Sequence, residues 1–395
     1  MKKVLFYCQY HLGMGHLVRS TEIIRSLAKE FKVCFVKAGT EIEGFNFPAN
    51  VEVVTLPLLL SENKQVKVAD SSQNIEEVKE SRTNLLLKVF DEFQPDCLII
   101  EGYPFKKYQF EFEAIPLLEQ VQATGRKTKV VCSLRDVVMA QAYENRDAVI
   151  EKTCDRLNKY FDLLLVHSDP SFHRLEESFP QVQDIKCDIR YTGYVVQSPP
   201  ENPAVPLEDL IDYNRKNPMI LVSVGGGQLG HELLESIMEA SSVIKQFLPE
   251  HHLQVFTGPF IPNEKFLQLQ KAAENKSNLT LKKYTSQLLA YMEKAQLSIS
   301  LCGYNTAMNI LNTGVKSMIL PSNKDWEQKV RAEKMERLGI IKMMQPDDLK
   351  PENLAKKIIE YLHQPVVKPD KNFEFQGAQK TAQLLKELLE CKVVA

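Results

Sequence analysis

At 395 residues the chain is longer than one ordinary hydrophobic core supports, so two domains of about 150–200 residues are expected. Its hydrophobic content of 44% and charged content of 25% are ordinary for globular proteins. The formal net charge of -2, without any long basic block, argues against nucleic acid as a partner.

The amino-terminal apolar run covers only Val4 to Cys8, which is too short for a signal peptide or a membrane span. No transmembrane segment is therefore expected. The 8 cysteines are scattered and none forms a CxxC pair, so buried, reduced thiols are expected rather than disulfides or a zinc site. These features predict a cytoplasmic protein.

Apolar runs with many β-branched residues alternate with helical patterns through the first half of the chain. Besides 4–8, these runs cover 32–36, 51–56, 97–100, 129–134, 163–167 and 190–192. Continuous apolar runs separated by helices predict parallel strands that are buried on both faces. Residues 60–80 are polar and aperiodic, so a mobile loop is expected there.

The same pattern restarts after a proline-rich segment. The linker is predicted at 196–218, between an N-terminal domain at 1–195 and a C-terminal domain at 219–375. The second set of strands is predicted at 219–224, 253–257, 279–283, 297–301, 317–320 and 341–344. The fold class is thus α/β with two Rossmann-like domains. A last helix, within 376–395, is expected to pack back on the N-terminal domain.

The first glycine loop follows the first strand and contains Gly13, Gly15 and His16. Backbone N–H groups at a helix start favour an anion, and glycine lets a ligand approach the backbone. A tight turn without any ligand explains the two glycines equally well.

The second glycine loop matches GxGxxG at Gly225, Gly227 and Gly230. A dinucleotide site would need an acidic residue at the end of the next strand, and that strand ends at Thr257-Gly258-Pro259 instead. The first loop lacks the third glycine, because Val18 stands there. Neither loop therefore predicts a dehydrogenase.

The third loop follows the strand at 297–301 and carries small polar residues at a helix start. Gly303, Asn305 and Thr306 suit helix capping and phosphate contact equally. Further on, Glu327 and Gln328 carry side chains that hydrogen-bond polyhydroxylated ligands, although Glu327 also fits a solvated helix N-terminus.

This third block, "CGYNTAMNILNTGVKSMILP" followed by "EQKVRAEKMERLG", resembles the donor-binding block of inverting glycosyltransferases with the GT-B fold, in particular the MurG-like enzymes. The resemblance extends in the same order to "YHLGMGHLVRS", "EGYPF", "SLRD", "YTGYV" and "VSVGGGQLG". It implies two Rossmann-like domains that face each other across a cleft.

The resemblance also implies where a nucleotide sugar binds. The pyrophosphate, base, phosphate and sugar positions would be lined by Gly226, Gly227, Tyr284, Thr285, Gly303, Asn305, Thr306, Glu327 and Gln328. Gly15 and His16 would face the acceptor and the anomeric carbon.

Two positions depart from the family pattern. Asn309 stands where the family usually has a glutamate that grips the ribose, which puts the uridine assignment or the ribose contact in doubt. An arginine that the family carries near the end of the first domain is replaced by Val195, Val196 and Gln197. We expect Arg19 or Lys324 to supply that positive charge.

For the chemistry, His16 is the predicted general base because imidazole titrates near neutral pH. Asp136 and Glu101, each at the end of a predicted strand, are the competing bases. No DxD motif occurs, which favours a metal-independent site in which helix N-termini and basic side chains stabilise the leaving diphosphate. No cofactor is expected, since the nucleotide sugar is a substrate.

The prediction is an inverting glycosyltransferase that moves a sugar from a nucleotide sugar, with a UDP-sugar as the expected donor, to an unidentified hydroxyl acceptor. A nucleotide-sugar 2-epimerase shares this architecture and needs no acceptor. A non-catalytic nucleotide-sugar-binding protein is the third alternative, supported by Asn309. Peripheral contact with a membrane stays open.

Overall fold

A computed structural model describes residues 1–10, 14–62, 65–70, 72–125, 127–138, 145–198, 217–323, 325–365 and 372–390 of the chain. Within these residues no helix combines the length and the hydrophobicity that crossing a membrane requires. The chain divides into two compact units. The first takes Met1–Glu41, Asn46–Val196 and the chain from Phe373 onward, and the second takes Ile42–Phe45 and Gln197–Asn372.

The first unit is built on a sheet of 7 strands. The strands are β1 Lys3–Gln9, β2 Lys32–Ala38, β3 Val51–Thr55, β6 Cys97–Glu101, β7 Lys129–Arg135, β8 Leu163–His167 and β9 Asp188–Tyr191. They pair in the order β3-β2-β1-β6-β7-β8-β9, and every pairing is parallel. Strands β6 and β8 are buried along their whole length, as expected for a parallel sheet that is covered on both faces.

The α-helices among the described residues of this unit are α1 Met14–Leu27, α2 Ile75–Phe93, α3 Glu111–Ala123, α4 Arg146–Tyr160 and α11 Gly377–Glu390. Helix α11 packs against α1, although the two lie at opposite ends of the sequence. The returning chain is joined to the unit by backbone hydrogen bonds, because Tyr194 N donates to Glu374 O at 2.6 Å and Gly377 N donates to Tyr194 O at 3.0 Å.

The prediction of an irregular loop over 60–80 is wrong. An antiparallel hairpin of β4 Leu59–Glu62 and β5 Gln65–Val68 lies there, and α2 begins at Ile75. Along β5 the side chains alternate between exposed and half-buried, which is the period of a strand with one covered face. The side chain of Asn74 caps α2 by accepting the Glu76 N–H at 2.9 Å.

The second unit has a sheet of 6 strands. These are β10 Met219–Ser223, β11 His252–Phe256, β12 Leu279–Lys282, β13 Leu297–Ser300, β14 Ser317–Ile319 and β15 Ile341–Met343. They pair in parallel in the order β12-β11-β10-β13-β14-β15. The helices around them are α5 His231–Phe247, α6 Asn263–Ala273, α7 Leu288–Lys294, α8 Tyr304–Thr313, α9 Trp326–Arg337 and α10 Pro351–Leu362.

Each unit has its own hydrophobic core, and both sheets are doubly wound. The predicted α/β class with two Rossmann-like units is therefore confirmed. The strand order reverses between β1 and β6 in the first sheet and between β10 and β13 in the second. Ligands of such sheets bind outside the carboxyl ends of the strands at the point of reversal, so these two edges are where a site is sought.

Candidate active site

The reversal point of the first sheet holds a histidine–carboxylate pair. His16 lies in the first turn of α1, and Glu101 is the last residue of β6. His16 Nδ1 lies 2.8 Å from Glu101 Oε1. The His16 side chain is 22% exposed and that of Glu101 is 1% exposed, so the ring shields the carboxylate and keeps one edge accessible.

Two cations also contact the Glu101 carboxylate. Arg19, one turn after His16, donates to Oε1, and Lys107 donates to Oε2. Burial by itself raises the pKa of Glu101, but the hydrogen bond from His16 and the positive charges of Lys107 and Arg19 outweigh burial and hold that pKa well below its usual range. Glu101 is therefore ionised at neutral pH and accepts from three partners.

The His16 imidazole is neutral at physiological pH. Burial lowers the pKa of His16 to about 3, and although Glu101 works in the opposite direction, the positive charges of Lys107 and Arg135 add to the lowering. Since an ionised carboxylate only accepts hydrogen bonds, the ring proton is assigned to Nδ1. Nε2 then carries a lone pair.

A second polar group lies at the neighbouring strand ends. His167, at the end of β8, is fully buried, with Nε2 2.7 Å from Ser133 Oγ and Nδ1 2.9 Å from Thr192 Oγ1. Burial lowers the pKa of His167 to about 3, and the nearby Arg19 charge adds to this. Asp136 follows β7 directly and is also fully buried.

Of the other predicted residues of the first unit, Gly15 and Arg19 lie on α1 and Glu101 ends β6. Arg19, expected near the donor phosphates, is fully buried and ion-paired with Glu101, so its charge is already opposed. Glu101, a competing base in the sequence, is the partner of His16. Gly15 lies in the first turn of α1. Gly13 and Lys324 lie outside the described residues.

Sequence reasoning missed Lys107 and His167. Lys107 follows the "EGYPF" motif by two residues, and only its contact with Glu101 distinguishes it from the adjacent Lys106. His167 ends an apolar run, and a histidine after four apolar residues was the available signal.

At the second sheet, Gly227 of the GxGxxG loop between β10 and α5 serves the chain's own packing. Gly227 has φ +93°, and a Cβ there would lie 2.6 Å from the Thr257 carbonyl oxygen and 2.8 Å from the Ile261 nitrogen. A Cβ on Gly258 would lie 2.4 Å from Gly226 and Gly227 atoms. The half-buried Gly226 accepts the Phe260 N–H at 2.9 Å. The backbone segments around Gly227 and Gly258 are thus in close contact, and a side chain at either position would collide with the other segment.

The start of α8 is different, because the space around it is open. Gly303 is the N-cap at φ -61°, and a Cβ built on it meets no described atom within 4 Å. Gly303 has no side chain to cap the first-turn amides, which include the half-buried Asn305 and Thr306. By contrast, Asp325 caps α9 by accepting from Glu327 N at 3.1 Å and Gln328 N at 3.4 Å. Glycine at 303 is therefore not demanded by packing.

Side chains of helix α9 form hydrogen bonds with the backbone of the turn that leads to Gly303. Gln328 Oε1 accepts the Cys302 N–H at 3.1 Å, and Arg331 donates to the Cys302 carbonyl at 2.8 Å. Gln328 also donates to Asp325 Oδ2 at 3.1 Å. The side chain predicted to hold sugar hydroxyls thus also holds the backbone of this turn. Glu327 is buried, with Oε2 4.0 Å from Arg331 Nη2.

The remaining predicted positions lie around the same edge. Tyr284 and Thr285 follow β12 and are half-buried, and burial raises the pKa of Tyr284 to about 12. Asn309 on α8 is 1% exposed and donates through Nδ2 to Gln197 Oε1 at 2.6 Å. Its Oδ1 is buried and has no hydrogen-bond partner among the described residues.

The second unit of the chain is similar to a known protein family. Residues 219–388 match the family model described as the glycosyltransferase family 28 C-terminal domain. This segment contains every strand of the second sheet and the start of α8. The chain matches no curated protein sequence.

Solved structures with a similar fold extend over nearly the whole chain. MurG from Acinetobacter baumannii is 14% identical with a TM-score of 0.54, covering 99% of this chain and 100% of its own. A UDP-glucosyltransferase from Polygonum tinctorium is 11% identical with a TM-score of 0.64, covering 99% of each chain. A Listeria monocytogenes protein named as a UDP-N-acetylglucosamine 2-epimerase is 12% identical with a TM-score of 0.64, covering 99% of this chain and 97% of its own. These likenesses place the fold in the GT-B class.

Proposed function

We propose that this chain, which is a glycosyltransferase of the GT-B fold, moves a sugar from a UDP-sugar to a hydroxyl acceptor with inversion and without a metal ion. The observation that carries the proposal is the hydrogen bond between His16 and Glu101 at the reversal point of the first sheet. It presents a neutral imidazole, held in one tautomer, at an edge where ligands of such sheets bind.

His16 is proposed as the general base. Its Nε2 takes the proton of the acceptor hydroxyl while that oxygen attacks the anomeric carbon and the bond to the diphosphate breaks. The imidazolium that forms is stabilised by the ionised Glu101, which stays unprotonated because Arg19 and Lys107 oppose its charge. Attack from the face opposite the leaving group inverts the anomeric centre.

The donor diphosphate is proposed to bind at the start of α8. A helix N-terminus without a side-chain cap offers N–H groups and a positive dipole end to an anion, and the open space beside Gly303 leaves room for it. The absence of a DxD motif supports a leaving group that is stabilised by these amides instead of a metal ion. The UDP-linked names of two structural neighbours favour uridine as the base.

The other donor contacts are proposed from the surroundings of each side chain. Asn309 is proposed to accept a ribose hydroxyl through Oδ1, since its Nδ2 is already donated to Gln197. Tyr284 and Thr285 are proposed to flank the base, and Glu327 to bind the sugar. For Gln328 we now propose a supporting role, because its amide oxygen accepts from the loop before Gly303.

The test is transfer by the wild-type chain with a panel of UDP-, GDP-, dTDP- and ADP-sugars and hydroxyl acceptors. Release of nucleoside diphosphate that requires acceptor, an inverted anomer by proton NMR, and unchanged rates in EDTA are expected. His16→Ala should lower turnover about 10²–10⁴-fold and change donor affinity by no more than a few fold. His251→Ala, which removes a half-buried histidine of the second unit, is the control and should keep wild-type turnover.

An epimerase remains a distinct outcome of the same assay, because one structural neighbour carries that name. Exchange of the sugar C2 hydrogen with D₂O in the absence of acceptor would identify it. Donor binding without turnover across the acceptor panel would instead favour a binding protein. Wild-type turnover in His16→Ala would remove the proposed base.

A further inference from the structure

We propose that Lys107 is a positioning residue for the pair of His16 and Glu101, held in an unfavourable backbone conformation so that its ammonium group fixes the carboxylate. The inference rests on the proposed function, because it assigns Lys107 a part in the same reaction. It adds a residue that contacts neither the acceptor nor the donor in the mechanism above. Its evidence is the backbone, the contacts of the ammonium group and the charges around the imidazole.

The backbone of Lys107 is left-handed, with φ +68°. Gln94 is the other non-glycine residue with positive φ in the described part of the chain. Gln94 closes the end of α2, where such a conformation is common. Lys107 precedes a single 3-10 turn, and strain of this kind at a residue with a side chain persists only where the surrounding structure enforces it.

The loop that carries Lys107 is pinned on both sides. It begins at Gly102, directly after Glu101, and Lys106 N donates back to Gly102 O at 2.9 Å. Two buried aromatic side chains anchor the loop: the ring centroid of Tyr103 lies 6.4 Å from that of Phe161, and Phe105 lies 5.1 Å from Phe179. The position of the lysine is therefore set by packing.

The ammonium group joins the ends of two central strands. Lys107 Nζ donates to Glu101 Oε2, at the end of β6, and to Gln9 O, at the end of β1, at 2.5 Å. The Gln9 side chain is held in turn, because its Oε1 accepts from Arg82 at 2.7 Å. The loop from β1 to His16 thus starts at a residue that Lys107 fixes, and the carboxylate that orients His16 is fixed by the same group.

The charges that face His16 come from four elements. They are Arg19 on α1, Glu101 on β6, Arg135 on β7 and Lys107 on the loop. Removal of Lys107 takes away one cation and one of the contacts that keep the carboxylate in place. The pKa of His16 should then rise, and the ring should populate both tautomers, because Glu101 Oε2 loses its lysine and Arg19 holds the carboxylate through Oε1 alone.

The test is Lys107→Met, with Lys107→Arg as the conservative variant. Lys129→Met is the matched control, since Lys129 forms a half-buried pair with Asp162 at 2.9 Å at the opposite edge of the same sheet. Ring ¹⁵N chemical shifts of His16 report its tautomer and ionisation without any substrate. Steady-state kinetics give kcat and KM for each variant.

In Lys107→Met we expect mixed tautomers, a His16 pKa raised by about one unit or more, and kcat reduced about 10-fold or more with donor KM unchanged. Lys107→Arg should recover most of the turnover and the single tautomer, and Lys129→Met should leave both unchanged. Should Lys107→Met fail to fold, as judged by circular dichroism, Lys107→Gln supplies the same comparison. Wild-type ¹⁵N shifts and kcat in a folded Lys107→Met or Lys107→Gln protein would overturn the proposal. If the wild-type chain transfers no sugar but Lys107→Met still alters the ¹⁵N shifts of the His16 ring, the proposed function is overturned. The positioning role of Lys107 is supported by that same result.

Discussion

Removing one partner of a buried ion pair in the first unit is expected to destabilise that unit strongly. Arg82 on α2 and Glu113 on α3 are both fully buried, and Arg82 donates to the two carboxylate oxygens at 2.8 and 2.6 Å. Tyr7 donates to the same carboxylate and Gln9 accepts from Arg82. The perturbation is Glu113→Gln, which removes the negative charge and keeps the shape, so that Arg82 becomes an unopposed buried cation.

The magnitude follows from this burial. Removing one partner of a fully buried pair costs about 3–5 kcal/mol, because the remaining charge has no compensation. For a unit of roughly 200 residues, each kcal/mol lowers the melting temperature by about 2–4 °C, so a drop of roughly 6–20 °C is expected. Glu92→Gln is the control, since its pair with Lys88 on α2 is 68% exposed on both sides and contributes about 0–1 kcal/mol.

The assay separates the two units. Trp326 is the only tryptophan of the chain and belongs to the second unit, so its fluorescence follows that unit during urea unfolding. Hydrogen exchange of amides in β1 and β6 follows the first. Glu113→Gln should shift the first-unit transition and leave the Trp326 transition in place. A first-unit transition as stable as that of Glu92→Gln would refute the reasoning.

Two more predictions concern the edges of the sheets. Gly303→Ala should unfold like the wild type and should bind UDP about 10-fold or more weakly, as measured by calorimetry. Gly227→Ala should instead lose stability whether or not nucleotide is present. Wild-type affinity for UDP in Gly303→Ala would contradict the proposed phosphate site. His167 has its pKa lowered to about 3 from 6.5, so the unfolded chain takes up the proton first. Between pH 6.5 and pH 3, His167 should lower the stability of the first unit by about 1.4 kcal/mol per pH unit, and His16 should add an equal slope because its pKa is also lowered to about 3. His167→Asn should remove the His167 share of the slope in urea titrations, and an unchanged slope would refute it.

The two sheets were predictable because parallel strands leave continuous apolar runs. All thirteen predicted strands correspond to strands of the structure, with ends that differ by at most two residues. The hairpin of β4 and β5 was not predictable in the same way. Its residues alternate over only four positions each and lack a continuous apolar run, so a short half-covered ribbon looks like a loop in sequence.

The site was partly predictable, since residues that follow strands at a reversal point meet at one edge. That rule brings His16 and Glu101 together. The sequence does not show which of the side chains at this edge of the sheet contact one another. Arg19 looked available for a phosphate, yet its position one turn after His16 directs it into the same carboxylate. Lys107 carried no signal, because its role depends on a backbone turn that a lysine seldom adopts.

The glycine loops show why a motif and a site are different observations. Gly227 satisfies the fingerprint, but its hydrogen atom faces the backbone of the β11–α6 loop, and any side chain would collide with it. Gly303 satisfies no fingerprint, has an ordinary φ and has no described atom where a Cβ would stand. Packing therefore accounts for the glycine at 227 and leaves the glycine at 303 without a reason inside its own unit. A ligand that approaches the first-turn amides of α8 would supply that reason, which supports the proposal that the diphosphate binds at α8.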